Sequence, residues 1–133
     1  MAREVAASVA GAVNARARDA GGAEGRVVEV SDETFDTVAL HPARPAVVNF
    51  SVPWCGPCLA MERLLDALAP EYVGRVVVAK LNAEHNPRLA ERYNVRGLPT
   101  FILFRHGQEM TRLSGTPGKT QLRQLLDRAL GAE

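Results

Sequence analysis

The sequence predicts an α/β domain, a central mixed β-sheet flanked by helices on both faces. Three observations predict it. From residue 26 onward, short β-type runs alternate with stretches whose apolar residues recur at helical spacing. Two of the runs, Ala46–Val52 and Val76–Leu81, are almost continuously apolar, which suits strands covered on both faces. The last two runs meet at a short turn containing His106-Gly107, which suits an antiparallel hairpin.

Taken in order, Val27–Val30 reads as a strand. Ser31 offers an N-cap to a helix whose buried face is Phe35, Val38 and Ala39, and Pro42 and Pro45 stop it. Ala46–Val52 is the next strand, interrupted by Asn49 and Ser51. After Pro53 and a cysteine motif, Met61, Leu64, Leu65 and Leu68 fall at helical spacing and end before Pro70. Val76–Leu81 is a third strand. Asn86-Pro87 reads as an N-cap and first helical residue, opening a helix through Tyr93. Thr100–Phe104 and Met110–Leu113 form the hairpin. Thr116-Pro117 leads into a final helix with the stripe Leu122, Leu125, Leu126, Ala129 and Leu130. The order is β-α-β-α-β-α-β-β-α. A strand–helix–strand unit implies a parallel pair, and the hairpin adds antiparallel strands.

At 133 residues the chain suits one domain around one core. Its net charge of +1 makes no electrostatic case for nucleic acid or a membrane surface. No apolar run approaches the roughly 18 residues of a membrane-spanning helix. Residues 1–25 stand apart as an extension rich in Ala, Gly and Arg, with 26–133 as the domain. Val5, Val9 and Val13 recur every four residues and give a thin helical stripe. Glu4 and the low hydrophobicity speak against a secretory signal, and Glu4, Asp19 and Glu24 speak against a transit peptide. The expected compartment is the cytoplasm.

The chemistry is concentrated in Trp54-Cys55-Gly56-Pro57-Cys58, which holds both of the chain's 2 cysteines. A disulfide scaffold needs more cysteines, and a structural zinc site needs about four ligands. A close Cys-x-x-Cys pair fits reversible redox chemistry instead. Cys55 falls where a buried strand gives way to a helix, whose free N–H groups and positive dipole end favour a thiolate. Cys58 lies one turn on. Cys55 attacks a substrate disulfide to form a mixed disulfide, and Cys58 then attacks Cys55 and releases the reduced substrate. Gly56 permits tight local geometry, Pro57 stiffens the first turn, and Trp54 supplies a flat apolar rim for docking. A pair of inert core cysteines is the competing reading, but Cys55 is off the helix's apolar stripe.

The WCGPC string, the segment Arg96-Gly97-Leu98-Pro99-Thr100 about 40 residues on, Val78-Ala79-Lys80-Leu81-Asn82 and Phe104-Arg105-His106-Gly107 together resemble the thioredoxin family, from about Val27 to Leu130. The resemblance implies the thioredoxin fold and a divergent member with an N-terminal extension. It implies a cis bond before Pro99, facing the cysteines and aiming the Leu98 backbone at an extended substrate segment. It implies a docking surface from Gly97, Leu98, Ser114, Gly115, Thr116 and Ala83, and it sets Lys80 near the buried end of the active-site helix. No bound cofactor is expected. Electrons are expected from NADPH through a flavin-dependent thioredoxin reductase, the substrates are disulfide-containing proteins, and the chain is expected to act as a monomer.

Three positions depart from the family. Asn49 stands where the family usually has a buried aspartate that takes a proton from the resolving thiol, and an amide cannot take one. Slower exchange near neutral pH follows, unless the amide merely satisfies the same buried hydrogen bonds. Ser51 replaces an aromatic, which loosens packing, and Arg63 replaces a kinking proline. The implied function is a protein-disulfide reductase. The alternatives are an oxidant or isomerase of the same fold, or a binding or co-chaperone module whose thiols are incidental.

Overall fold

The computed structural model describes residues 25–41 and 43–131. The N-terminal stripe, the targeting features of the extension and the stop assigned to Pro42 lie outside the described residues. The element order is β1 (Val28–Val30), α1 (Phe35–Ala39), β2 (Ala46–Ser51), α2 (Gly56–Leu68), β3 (Val77–Asn82), α3 (Pro87–Arg92), β4 (Thr100–Arg105), β5 (Gln108–Ser114) and α4 (Lys119–Ala129). This is the expected sequence of elements.

The strands form one mixed sheet in the order β1-β3-β2-β4-β5. β1 and β2 both run parallel to β3, whereas β4 is antiparallel to β2 and to β5. His106 and Gly107 make the hairpin turn with φ of 54° and 77°. Those left-handed values match the right-handed twist of the flanking strands, and glycine adopts them freely.

Strand alternation sends residues to two cores. Val47, Val78, Phe101 and Leu103 pack under α2 and α4, against Met61, Leu65, Leu68, Leu122, Leu125 and Leu126. Val48, Phe50, Ala79, Ile102 and Phe104 pack on the other face against Phe35, Val38 and Leu89 of α1 and α3. The rings of Phe35, Tyr93 and Phe104 meet at centroid distances of 5.1–5.5 Å, a separation favourable for edge contacts.

Several boundaries differ from expectation. Ser31 does not cap α1. Its carbonyl accepts from Thr34 N and Phe35 N, its hydroxyl accepts from Glu33 N at 3.2 Å, and Thr34 is the N-cap. Ser31 therefore organises the turn before the helix. Asn86 caps α3 by position only. Its Oδ1 accepts from Asp32 N at 2.9 Å and its Nδ2 donates to Asn82 O at 3.0 Å, so it ties loops together. α2 does end before Pro70, at Leu68 as expected, and Pro70 then sits in a 3₁₀ turn, Ala69–Tyr72, that follows it directly. α4 starts at Gly118, whose N–H is taken by the Gln121 side chain at 2.9 Å, rather than at Thr116-Pro117. Leu130 lies past the buried stripe and is exposed.

The 3₁₀ turn is pinned to α4 by Tyr72, whose hydroxyl donates to Asp127 Oδ1 at 2.7 Å. Burial first, then this hydrogen bond, push its phenol up to about 12. The folded state holds the proton more tightly than the unfolded chain, so the phenol's contribution is complete below its ordinary pKa of 10.0 and is lost as pH rises toward about 12. Tyr72→Phe is expected to cost about 1–2 kcal/mol at pH 7. It should also flatten the alkaline fall in stability, as read by urea unfolding at graded pH.

Candidate active site

β2 ends at Ser51 and α2 begins at Gly56, so the intervening residues turn the chain from sheet to helix at one end of the sheet. Cys55 N donates to Val52 O at 3.4 Å, and Cys55 becomes the N-cap of α2 with extended backbone angles. Its Sγ accepts from Cys58 N at 3.2 Å, the place a serine or aspartate oxygen takes in an ordinary cap. Pro57 sits in the first turn, where a missing N–H leaves no bond unmade.

The two sulfurs are inequivalent. Both cysteines are free thiols, Cys55 partly exposed and Cys58 fully buried. Burial first, and then the hydrogen bond to Cys55, push the Cys58 thiol up to about 11, against a lowering by the Val52 backbone. Gly56 is not held by tight geometry. A Cβ there would meet nothing within 4 Å, so the glycine leaves an open approach beside Cys55. Trp54 is 73% exposed, and its Nε1–H donates to Glu84 Oε1 at 3.1 Å. That bond holds the indole across the same rim. Glu84 carries no sequence signal that would have singled it out.

The expected surrounding segments converge on this end. The Leu98-Pro99 bond is cis. Thr100 pairs with Phe50, which places Pro99 at the β4 end beside the last residue of β2. Gly115 N donates to Pro99 O at 2.9 Å, Thr100 Oγ1 donates to Gly97 O at 2.6 Å, and Thr100 and Ser114 share a hydroxyl contact at 3.5 Å. Gly115 has φ of 90°, which demands glycine. Ala83 N donates to Ser51 O at 2.8 Å. Gly97, Ser114 and Thr116 are exposed, while Leu98 and Ala83 are half-buried. These bonds tie Gly97, Ser114, Gly115 and Ala83 to the strand ends around the cysteines, with Leu98 and Thr116 next to them in the chain.

The chain matches the thioredoxin family model over residues 26–128. The chain belongs to the thioredoxin family. It is 37% identical over 102 residues to thioredoxin 1 of Nostoc sp., covering 77% of this chain and 95% of that protein. It is 38% identical over 104 residues to the thioredoxin of Acidithiobacillus ferridurans, covering 78% of this chain and 96% of that one. Chloroplastic thioredoxin M5 of rice is 34% identical over 102 residues, covering 77% of this chain and 59% of that protein. Membership, together with the Cys55–Cys58 geometry, makes the chain a thiol–disulfide oxidoreductase acting on protein disulfides. Among the described residues, no helix is long and apolar enough to cross a membrane.

The family departures have a local structure. Asn49 is fully buried, and neither its Nδ2 nor its Oδ1 has a hydrogen-bond partner. The amide therefore does not satisfy a buried hydrogen-bond set. Ser51 is 3% exposed, and its Oγ donates to Glu62 Oε2 at 3.2 Å. The small residue leaves a cleft of about 140 Å³ bordered by Ser51, Leu59, Glu62 and Lys80. Lys80 Nζ is 3.7 Å from Glu62 Oε1 with a side chain 38% exposed, so Lys80 faces the cleft wall and α2 rather than a sealed interior. α2 runs unbroken through Arg63 from Gly56 to Leu68. Sequence reasoning missed Glu62. Its position four residues after Cys58 was the available signal.

Two outcomes are expected. Iodoacetamide at pH 8 should place one adduct on the reduced protein, at Cys55, because Cys58 is buried and still protonated; peptide mass reads this, and equal labelling of both cysteines would contradict the asymmetry. Asn49→Leu should raise unfolding stability by about 1–3 kcal/mol, since it removes two unpaired buried polar atoms at similar volume. Chemical denaturation measures it.

Proposed function

We propose that the chain is a reductant of protein disulfides, recharged from NADPH by a flavin-dependent thioredoxin reductase, and that it works as a cytoplasmic monomer without a bound cofactor of its own. The observation that carries this reading is the neutral donor at the Cys55 sulfur. The donor described at its Sγ is a neutral backbone N–H from Cys58, and Gly56-Pro57 brings no charged side chain between the cysteines. Strong disulfide oxidants owe their potential to a stabilised reduced form. The neutral donor and the uncharged Gly56-Pro57 pair support the reducing direction over the oxidant or isomerase alternative.

In this reading Cys55 is the nucleophile and Cys58 the resolving thiol. Trp54, Gly97, Leu98, Ser114, Gly115, Thr116 and Ala83 receive an extended substrate segment, with Pro99 setting the Leu98 backbone for strand-like pairing. The exposed indole of Trp54 offers the apolar contact and the exposed backbone the polar one.

Equilibration in graded glutathione buffers, with thiol counting by alkylation and mass, tests the direction. A midpoint near −270 mV is expected, as for reducing members of the fold. A midpoint at or above about −180 mV would assign the chain to the isomerase or oxidant class instead. In the same assay Cys58→Ser should trap substrate on Cys55, and Cys55→Ser should form no adduct.

A further inference from the structure

Resolution of the mixed disulfide makes one demand that the residues above do not meet. With substrate held on Cys55, the Cys58 thiol must lose its proton before its sulfur can attack. That thiol is fully buried, and burial pushes it upward, toward the protonated form. Asn49, under the same helix, is an amide and takes no proton.

Glu62 stands four residues after Cys58 on α2. Residues at that spacing are neighbours on one helix face, about 5–6 Å apart at Cβ. Helical side chains lean toward the N-terminus, so the Glu62 side chain leans back toward Cys58. Its carboxylate is held from two strands. Ser51 Oγ on β2 donates to Oε2 at 3.2 Å, and Lys80 Nζ on β3 lies 3.7 Å from Oε1. The side chain is only 23% exposed, and it borders the cleft that opens to solvent. The titratable and charged groups around it are Lys80 from β3, Glu29 of β1 across the cleft, and on α2 Cys58 one turn before and Asp66 one turn after.

We propose that Glu62 is the proton acceptor for Cys58, a carboxylate carried by the active-site helix and held against β2 and β3 by Ser51 and Lys80. The inference rests on the oxidoreductase reading. In the step, the Cys58 S–H proton passes to a Glu62 carboxylate oxygen. The Cys58 sulfur attacks Cys55 Sγ, the Cys55–Cys58 bond forms, and the Cys55–substrate bond breaks. The substrate leaves as a thiolate and takes its proton from water, while Glu62 returns its proton through the open cleft. The substrate disulfide gains two electrons and the dithiol loses them. Ser51 is integral to this arrangement, because it supplies both the space and the hydrogen bond that hold the carboxylate.

The test is stopped-flow reaction of the reduced full chain with one equivalent of an aromatic disulfide that releases a coloured thiolate. The first release reports attack by Cys55, and the second reports attack by Cys58. The wild-type second phase should be nearly flat from pH 6 to 9. Glu62→Gln should leave the first phase unchanged and slow the second by roughly 100-fold at pH 7, the lower end of general-base effects. Its second phase should then climb about tenfold per pH unit, because Cys58 must ionise unaided. Glu62→Asp should keep the flat profile even at a lower rate. An unchanged second phase in Glu62→Gln, a slowed one that keeps the wild-type pH dependence, or a steep profile in Glu62→Asp would each overturn the proposal. Should Glu62→Gln fail to fold, the wild-type profile decides: a second phase rising tenfold per unit overturns it. Absence of the first phase in wild type would overturn the oxidoreductase reading itself, and this inference with it.

Discussion

β2 is hydrogen-bonded along both edges, to β3 and to β4, and every residue from Ala46 to Ser51 is buried. A strand in that position cannot shift register without driving Val48 and Phe50 out of one core and Val47 out of the other. Its end is therefore fixed in space, and the turn that leaves it delivers Cys55 to the first free N–H groups of α2. The same strand fixes β4 by antiparallel pairing, so Pro99 arrives beside the cysteine turn. The parallel pairing with β3 does the same for Ala83, through its bond to Ser51 O. The site is a set of strand ends and loops whose positions all follow from one central strand.

That placement divides the labour between two chemically identical side chains. Cys55 occupies a helix cap at the surface and receives a backbone N–H. Cys58, one turn deeper, is enclosed, and its thiol resists ionisation. Exposure decides which sulfur meets a substrate, and burial decides which one waits. The waiting thiol needs a base within the protein, because hydroxide is scarce near neutral pH and solvent does not reach it.

Glu62, Ser51 and Lys80 form one linked arrangement beside α2. An aromatic at position 51 would occupy the volume that the cleft now takes and would remove the hydroxyl that donates to Glu62. The Asn49 amide is costly where it stands, with two unpaired polar atoms, yet it is neutral. Ser51 takes part in the Glu62 arrangement, and Asn49 does not.

Most of the architecture was legible in the chain. Apolar periodicity separated strands from helices, and the near-continuous runs at Ala46–Val52 and Val76–Leu81 announced central, doubly covered strands, found at Ala46–Ser51 and Val77–Asn82. WCGPC named the redox pair because its residues act through local geometry, a cap and its first turn. Turn and cap details were less legible. Ser31 and Asn86 have good capping chemistry, but Ser31 spends its hydroxyl on Glu33 N in the turn before the helix, and Asn86 gives its side chain to Asn82 O and, across the fold, to Asp32 N. The sequence by itself determined the order of elements and the identity of the reactive thiols, because each depends on neighbours a few residues away; it suggested one core, and the sheet divides that into two. Only the tertiary structure decided that Cys58 is sealed, that Asn49 is unpaired, and that Glu62 lies between Ser51 and Lys80, because those facts depend on how side chains from separate elements meet.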